Sequence, residues 1–232
     1  MNCYCRVFLR ARGSRMVPCM KAITLYRFAL SGHCHRVELM LSLLQRKVQL
    51  VEIDLVQGEH KLPAFLERNP FGQVPLIDDD GTLVADSNAI LIYLAHRYSG
   101  PQPWLPTDAR GAAEVQRWLS IAAGPLAAGP ALARIAALFK RPIDVETPRS
   151  VARQLFSRMD EHLASRPYLA AVQPTVADIA MYSYTAHAPE GGVTLRPYSH
   201  VRRWLRDIEA LPGFVAMPAT PTDAMATIND VT

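Results

Sequence analysis

The sequence predicts an α/β domain followed by an all-helical domain. Three observations carry that expectation. Residues 21–55 alternate between apolar and polar, then run at helical spacing, then alternate again, which is a strand–helix–strand pattern. Pro101, Pro103 and Pro106 mark a linker. Beyond it the apolar spacing is helical throughout. A chain of 232 residues, half of them hydrophobic, has room for one or two compact domains with real cores.

The elements follow in order. Residues 21–28 alternate with Ile23 and Leu25 on one side, a strand. Val37, Met40, Leu41 and Leu44 make residues 34–46 an amphipathic helix. Val48, Leu50 and Ile53 form a second strand ending near Leu55, and a βαβ unit makes the two strands parallel. Gln57 to Lys61 is a polar loop, and residues 63–68 form one or two helical turns. Residues 74–77 and 82–85 are strands joined at Asp79-Asp80-Gly81, a hairpin signal. Residues 87–97 are a helix with Ile90, Leu91 and Leu94 inward. This order, βαβ then ββα, is a thioredoxin-like arrangement. In the second domain residues 108–123 begin a long helix that Gly124-Pro125 and Gly129-Pro130 should bend or break. Residues 147–165 are another helix. Thr175 to Asp178 is a capping box opening a buried helix through Tyr184. Residues 198–210 are the last helix, closed by Pro212-Gly213. The expected division is an extension at 1–19, an α/β domain at 20–100, a helical domain at 106–217 and a loose tail at 218–232.

Charge and cysteine usage exclude several classes. The formal charge of +4 sits in the extension, where Arg6, Arg10, Arg12 and Arg15 stand without an acid. Taking these from the 25 basic residues leaves 21, equal to the 21 acidic ones. A neutral body does not support nucleic-acid binding. Cys3, Cys5 and Cys19 lie in the extension and Cys34 alone in the body, so no disulfide framework exists there, which fits a reducing cytoplasm. No His/Cys cluster has metal-ligand spacing, so no metal is implied. The apolar runs are broken by Gly, Pro or charge, so no span of the ~20 residues a membrane needs is expected. The extension fits a transit peptide, a regulatory arm, or sequence upstream of a true start at Met20; the last is favoured, because a clean strand begins just after Met20.

The most informative stretch is N-P-F-G-Q-V-P at 69–75, followed by Asp86-Ser87. Proline gives up a sheet hydrogen bond and is usually kept out of strands. Placed at the mouth of one, Val74-Pro75 suggests a cis peptide that aims backbone groups at a ligand. Asp86-Ser87 stands where a helix begins, and a helix N-terminus attracts anions. A backbone clamp beside a carboxylate pocket suits a small peptide with a free acid end.

These stretches resemble the soluble glutathione S-transferases. The likeness runs from about Lys21 to Met217 and rests on S-G-H-C-H-R-V at 31–37, G-E-H-K at 58–61, N-P-F-G-Q-V-P at 69–75, D-S at 86–87 and T-V-A-D-I at 175–179. It is greatest to bacterial members and to serine-using classes such as phi and theta. The resemblance implies glutathione as cosubstrate, conjugation to a small hydrophobic electrophile, and a homodimer.

It also implies roles. Ser31, at the start of the first helix, would donate to the thiolate; thiols in such positions fall from ~8.5 to roughly 3.5–7.5. An ordinary capping serine is the plain alternative. Val74 and Pro75 would pair their main chain with the cysteinyl part by strand addition. Ser87 would donate to the γ-glutamyl carboxylate and Asp86 meet its ammonium. Asp86 stands where many members carry Glu, which shortens that reach. Lys61, with His60 and Gln73, would handle the glycyl carboxylate. Phe71 would anchor in a partner subunit. Cys34, in S-x-x-C, reads as a small buried residue rather than a redox thiol. His33 and His35 are expected to face solvent, with contact to the ligand the alternative for either, and Tyr26, Trp118 and Tyr182 to be core aromatics, one of which could border the second pocket. Two rival readings stay open: a glutathione-dependent disulfide reductase, and a glutathione-binding protein without turnover.

Overall fold

The computed structural model describes residues 21–140, 142 and 144–220. The segment at 1–19 and the tail beyond residue 220 lie outside the described residues, and so do the expectations placed on them.

β1 (Ile23–Arg27) turns Ile23 and Leu25 inward, as their alternation requires. α1 (Gly32–Leu43) starts two residues earlier than the spacing suggested, because Ser31 caps it. β2 (Val48–Glu52) pairs parallel with β1 from Ile23↔Val48 to Arg27↔Glu52. It stops short of Leu55: Ile53 donates the last bond to the Arg27 carbonyl at 2.7 Å, and Asp54 Oδ1 then turns the chain by accepting the amides of Val56 and Gln57. A short 3₁₀ turn at Glu59–Lys61 leads into α2 (Pro63–Leu66). β3 (Leu76–Asp79) begins two residues later than expected, since Pro75 has no N–H for the ladder. β4 (Thr82–Ala85) returns antiparallel through Asp80 and Gly81, both left-handed (φ 51° and 90°), as a tight hairpin demands. The sheet order is β2-β1-β3-β4, and α3 (Ser87–Tyr98) closes the domain.

The remainder is helical. α4 (Ala109–Ala123) is capped by Asp108 and ends at Gly124. Gly129-Pro130 widens the chain into a π turn at Ala127–Ala131 instead of breaking it, and α5 (Leu132–Leu138) continues directly. A Cβ on Gly129 would lie 2.9 Å from the Ala152 amide nitrogen, so glycine lets α6 (Glu146–Leu163) approach. The helical stretch Ala109–Leu138 is long and apolar enough, by length and composition, to cross a membrane, contrary to the sequence reading. Its buried face, with Val115, Trp118, Leu119 and Ala122, packs into the protein core.

α7 (Val176–Ala186) opens with the expected capping box and is buried through Thr185. α8 (Ser199–Glu209) is amphipathic, and Gly213 (φ 90°) ends the turn after it. α7 packs against α1, α3, α4 and α8, so a single core joins Leu25, Leu39 and Leu91 to Trp118, Phe156 and Trp204. At its base, fully buried Asp178 accepts the amides of Leu169 (2.9 Å) and Thr175 (2.8 Å) and the Trp204 indole N–H (2.9 Å). Beside this core a cleft remains, reached by Ile135 of α5 and Tyr184 of α7.

Candidate active site

The cleft is a cavity of about 690 Å³. Ser31, Lys61, Gln73, Val74, Pro75, Asp86 and Ser87, far apart in sequence, all line it. The helical domain adds Ile135, Phe139 and Tyr184.

Ser31 sits at the N-terminus of α1, where unpaired amides and the aligned peptide dipoles favour an anion. Its Oγ accepts weakly from the Cys34 amide at 3.4 Å. Two devices fix the loop that carries it. Arg134, buried on α5, donates to the Leu30 carbonyl at 2.7 Å and pairs with Glu190 at 2.7 Å. Burial pushes the Glu190 carboxyl up, but the His187 hydrogen bond and the Arg134 charge outweigh it and hold the group below its ordinary value. Tyr184, from α7, lays its ring over Gly32; a Cβ there would meet the ring at 2.8–3.0 Å. Burial raises the Tyr184 phenol, so it stays protonated, with its hydroxyl beside Ser31.

The loop at 69–75 is built by its own side chains. Buried Asn69 donates to the Gln73 carbonyl at 2.7 Å and accepts the Phe71 amide at 3.3 Å. Lys61 Nζ binds the carbonyls of Phe71 (3.2 Å) and Gly72 (3.0 Å). Gly72 (φ 56°) is required there, since a Cβ would strike the His60 carbonyl at 2.7 Å. His60 Nδ1, at the same end of the cavity, is buried and has no partner among the described residues. The Val74–Pro75 peptide is cis, and Val74 precedes the first ladder pair, Leu76↔Ala85. Phe71 projects away, 80 % exposed.

At the opposite end Asp86, not Ser87, supplies the side-chain cap: its Oδ1 accepts the amides of Asn88 (2.8 Å) and Ala89 (3.0 Å). Asp86 holds φ at 70°, a strained value for a non-glycine residue and common at functional sites. Ser87 Oγ instead accepts from buried Arg36 (3.3 Å) and lies 3.4 Å from His33 Nδ1.

The histidines correct the expectation that both face solvent. His33 lines the cavity edge-on to Tyr184 at 5.0 Å, and burial, with the nearby Arg36 charge, lowers it to about 3. His35 is buried, bonded to Ser183 Oγ and the Val215 carbonyl, both at 2.9 Å, and burial lowers it to about 4. Cys34 is buried, with burial pushing its thiol up to about 11, so it is a poor nucleophile. None of Tyr26, Trp118 and Tyr182 lines the cavity; Tyr184 does. Its helical register on α7 put it among core residues, and nothing in the sequence marks its contact with Gly32.

The cavity is thus polar around Ser31, His60, Lys61, Gln73, Asp86 and Ser87 and apolar along Phe28, Leu30, Ile135 and Phe139, with the Phe28 and Phe139 rings 6.3 Å apart. It can hold an anionic peptide beside a small apolar molecule.

Comparison with known proteins follows the same division. The family profile described as "Glutathione S-transferase, N-terminal domain" matches residues 25–102, and "Glutathione S-transferase, C-terminal domain" matches residues 132–212. Glutathione S-transferase 3 of Zea mays is 32% identical, over 87% of this chain and 97% of its own length. Glutathione S-transferase theta-2 of Homo sapiens is 31% identical over 57% of each chain. The crystal structure of a possible glutathione S-transferase from Rhodopseudomonas palustris is 34% identical, covers 87% of this chain and 100% of its own, and has a TM-score of 0.79.

Proposed function

This chain belongs to the glutathione S-transferase family, and from that premise we propose that it transfers the glutathione thiolate to a small hydrophobic electrophile. The observation that carries the reading is the convergence of Ser31, the 73–75 backbone and Asp86-Ser87 on one cavity with an apolar far wall.

In this reading Ser87 and the amides at the start of α3 take the γ-glutamyl carboxylate, and the free oxygen of Asp86 meets the ammonium. The main chain of Val74 adds the cysteinyl part as a strand. Lys61, His60 and Gln73 take the glycyl end. The sulfur then lies at the N-terminus of α1. Ser31 donates its hydroxyl proton as a hydrogen bond to the sulfur, the thiol proton leaves to solvent, and the anion attacks the electrophilic carbon as the leaving group departs. Holding both reactants and stabilising the thiolate are the enzyme's two contributions. The reading includes a cytoplasmic location and a homodimer with exposed Phe71 at its interface.

The test is an aryl-halide conjugation assay beside a glutathione mixed-disulfide reduction assay. Conjugation faster than disulfide reduction, and lost in Ser31→Ala, supports the transferase. Disulfide reduction alone assigns the chain to the reductase reading. Tight glutathione binding with neither turnover assigns it to a binding protein.

A further inference from the structure

Two arginines are buried to the same extent, each 1 % exposed, and the fold treats them differently. Arg134 has a carboxylate, Glu190, at 2.7 Å. Arg36 has neutral partners: Ser87 Oγ at 3.3 Å and Asn88 Oδ1 at 2.9 Å. Among the described residues its Nε and Nη2 have no partner, and both are buried. A buried cation without a counter-anion is costly, and a fold keeps one where something compensates it. The carboxylate whose charge reaches Arg36 is Asp86, and its Oδ1 is occupied by the backbone of its own helix.

The place of Arg36 shows what would compensate it. A serine hydroxyl has one proton and two acceptor positions. Arg36 Nη1 fills an acceptor position of Ser87 Oγ, so the hydroxyl proton must go elsewhere. His33 Nδ1, at 3.4 Å, is a distant acceptor. An anionic oxygen in the cavity that Ser87 lines is a better one.

We propose that Arg36 is a positioning residue for the α-carboxylate of the γ-glutamyl group: it turns the Ser87 hydroxyl toward the ligand and sets a positive charge behind it, without touching the ligand. The inference rests on the glutathione reading above. Arg36 would then account for preference for a peptide that carries this carboxylate over one that lacks it.

The test compares binding of glutathione and of 4-aminobutyryl-cysteinylglycine, which keeps the amine and lacks only that carboxylate. Titration calorimetry on the full chain should show the wild type preferring glutathione by about 10- to 100-fold, the worth of a charge-assisted bond. Arg36→Met should shrink that ratio toward one while leaving affinity for the decarboxylated peptide near its wild-type value. In a Ser87→Ala background the same change should cost less than in the wild type, because only the charge behind the ligand, and no longer the orientation of the hydroxyl, is then lost. If Arg36→Met weakens both peptides by one factor and the ratio persists, the residue is structural and the inference is overturned. Should the Met variant not fold, Arg36→Lys serves: the charge stays and the fork is lost, so the ratio should fall part of the way. An unchanged ratio overturns the inference. A wild-type chain that binds neither peptide overturns the glutathione reading itself, and this inference with it.

Discussion

Replacing Gly32 by alanine sets two known effects against each other. Alanine in place of glycine in a helix normally stabilises by about 1 kcal/mol. Here the added Cβ would stand 2.8, 2.9 and 3.0 Å from three atoms of the Tyr184 ring. That ring is 2 % exposed and braced edge-on by His33 at 5.0 Å, so it has little room to retreat. Overpacking of this kind costs about 1–3 kcal/mol, so the net expectation is a loss of up to about 2 kcal/mol. For a chain of this size that lowers the melting temperature by up to about 8 °C. Because the ring lines the cavity beside Ser31, the conjugation rate should fall too. Thermal denaturation and initial-rate assays on the same preparations read both. In a Tyr184→Leu background the obstruction is gone, and Gly32→Ala should become stabilising. A Gly32→Ala protein with raised stability and full rate would refute the packing argument.

Other outcomes follow from the same structure. Asp178→Ala strands two backbone amides and the Trp204 indole in the core and should cost about 3 kcal/mol or more, read by urea denaturation. His35 is held at about 4 when folded against 6.5 ordinarily, so on acidification the unfolded chain takes the proton first. Stability is therefore fully present above pH ~6.5 and lost as pH falls toward 4, by roughly 3 kcal/mol from this group, with His33 acting in the same direction. His35→Asn should flatten melting temperature against pH across that window; an unchanged slope would assign the loss to other groups. Phe71→Ala should shift gel-filtration elution toward monomer without lowering the melting temperature of the monomer, since the side chain is 80 % exposed.

Local chemistry made much of the fold legible. Asp79-Asp80-Gly81, Thr175 with Asp178, and Asp86-Ser87 each act over a few residues, and a turn or cap needs nothing beyond them. The cavity's polar wall could be read for the same reason, because the 69–75 loop scaffolds itself through Asn69 and Lys61. What escaped depends on long-range contacts. Tyr184 meets Gly32 across the domain boundary, and Arg134 reaches the Leu30 carbonyl from α5. His35 goes inward because Ser183 and the Val215 carbonyl satisfy both its ring nitrogens. At Gly129-Pro130 the sequence suggested a bend or a break; a π turn takes up the proline there, and Gly129 lets α6 pack close. Arg36 sits on α1 like a surface residue by type, and only the ends of α1 and α3 brought together reveal it.

The central claim is that this cleft acidifies a bound thiol. Ultraviolet difference titration of the glutathione complex tests it directly. The wild type should show thiolate absorbance developing with a pKa in the range of roughly 3.5–7.5, against ~8.5 for a free thiol. Ser31→Ala should move it back toward the free value with glutathione affinity nearly intact. A bound thiol that ionises no more readily than free glutathione would contradict the account.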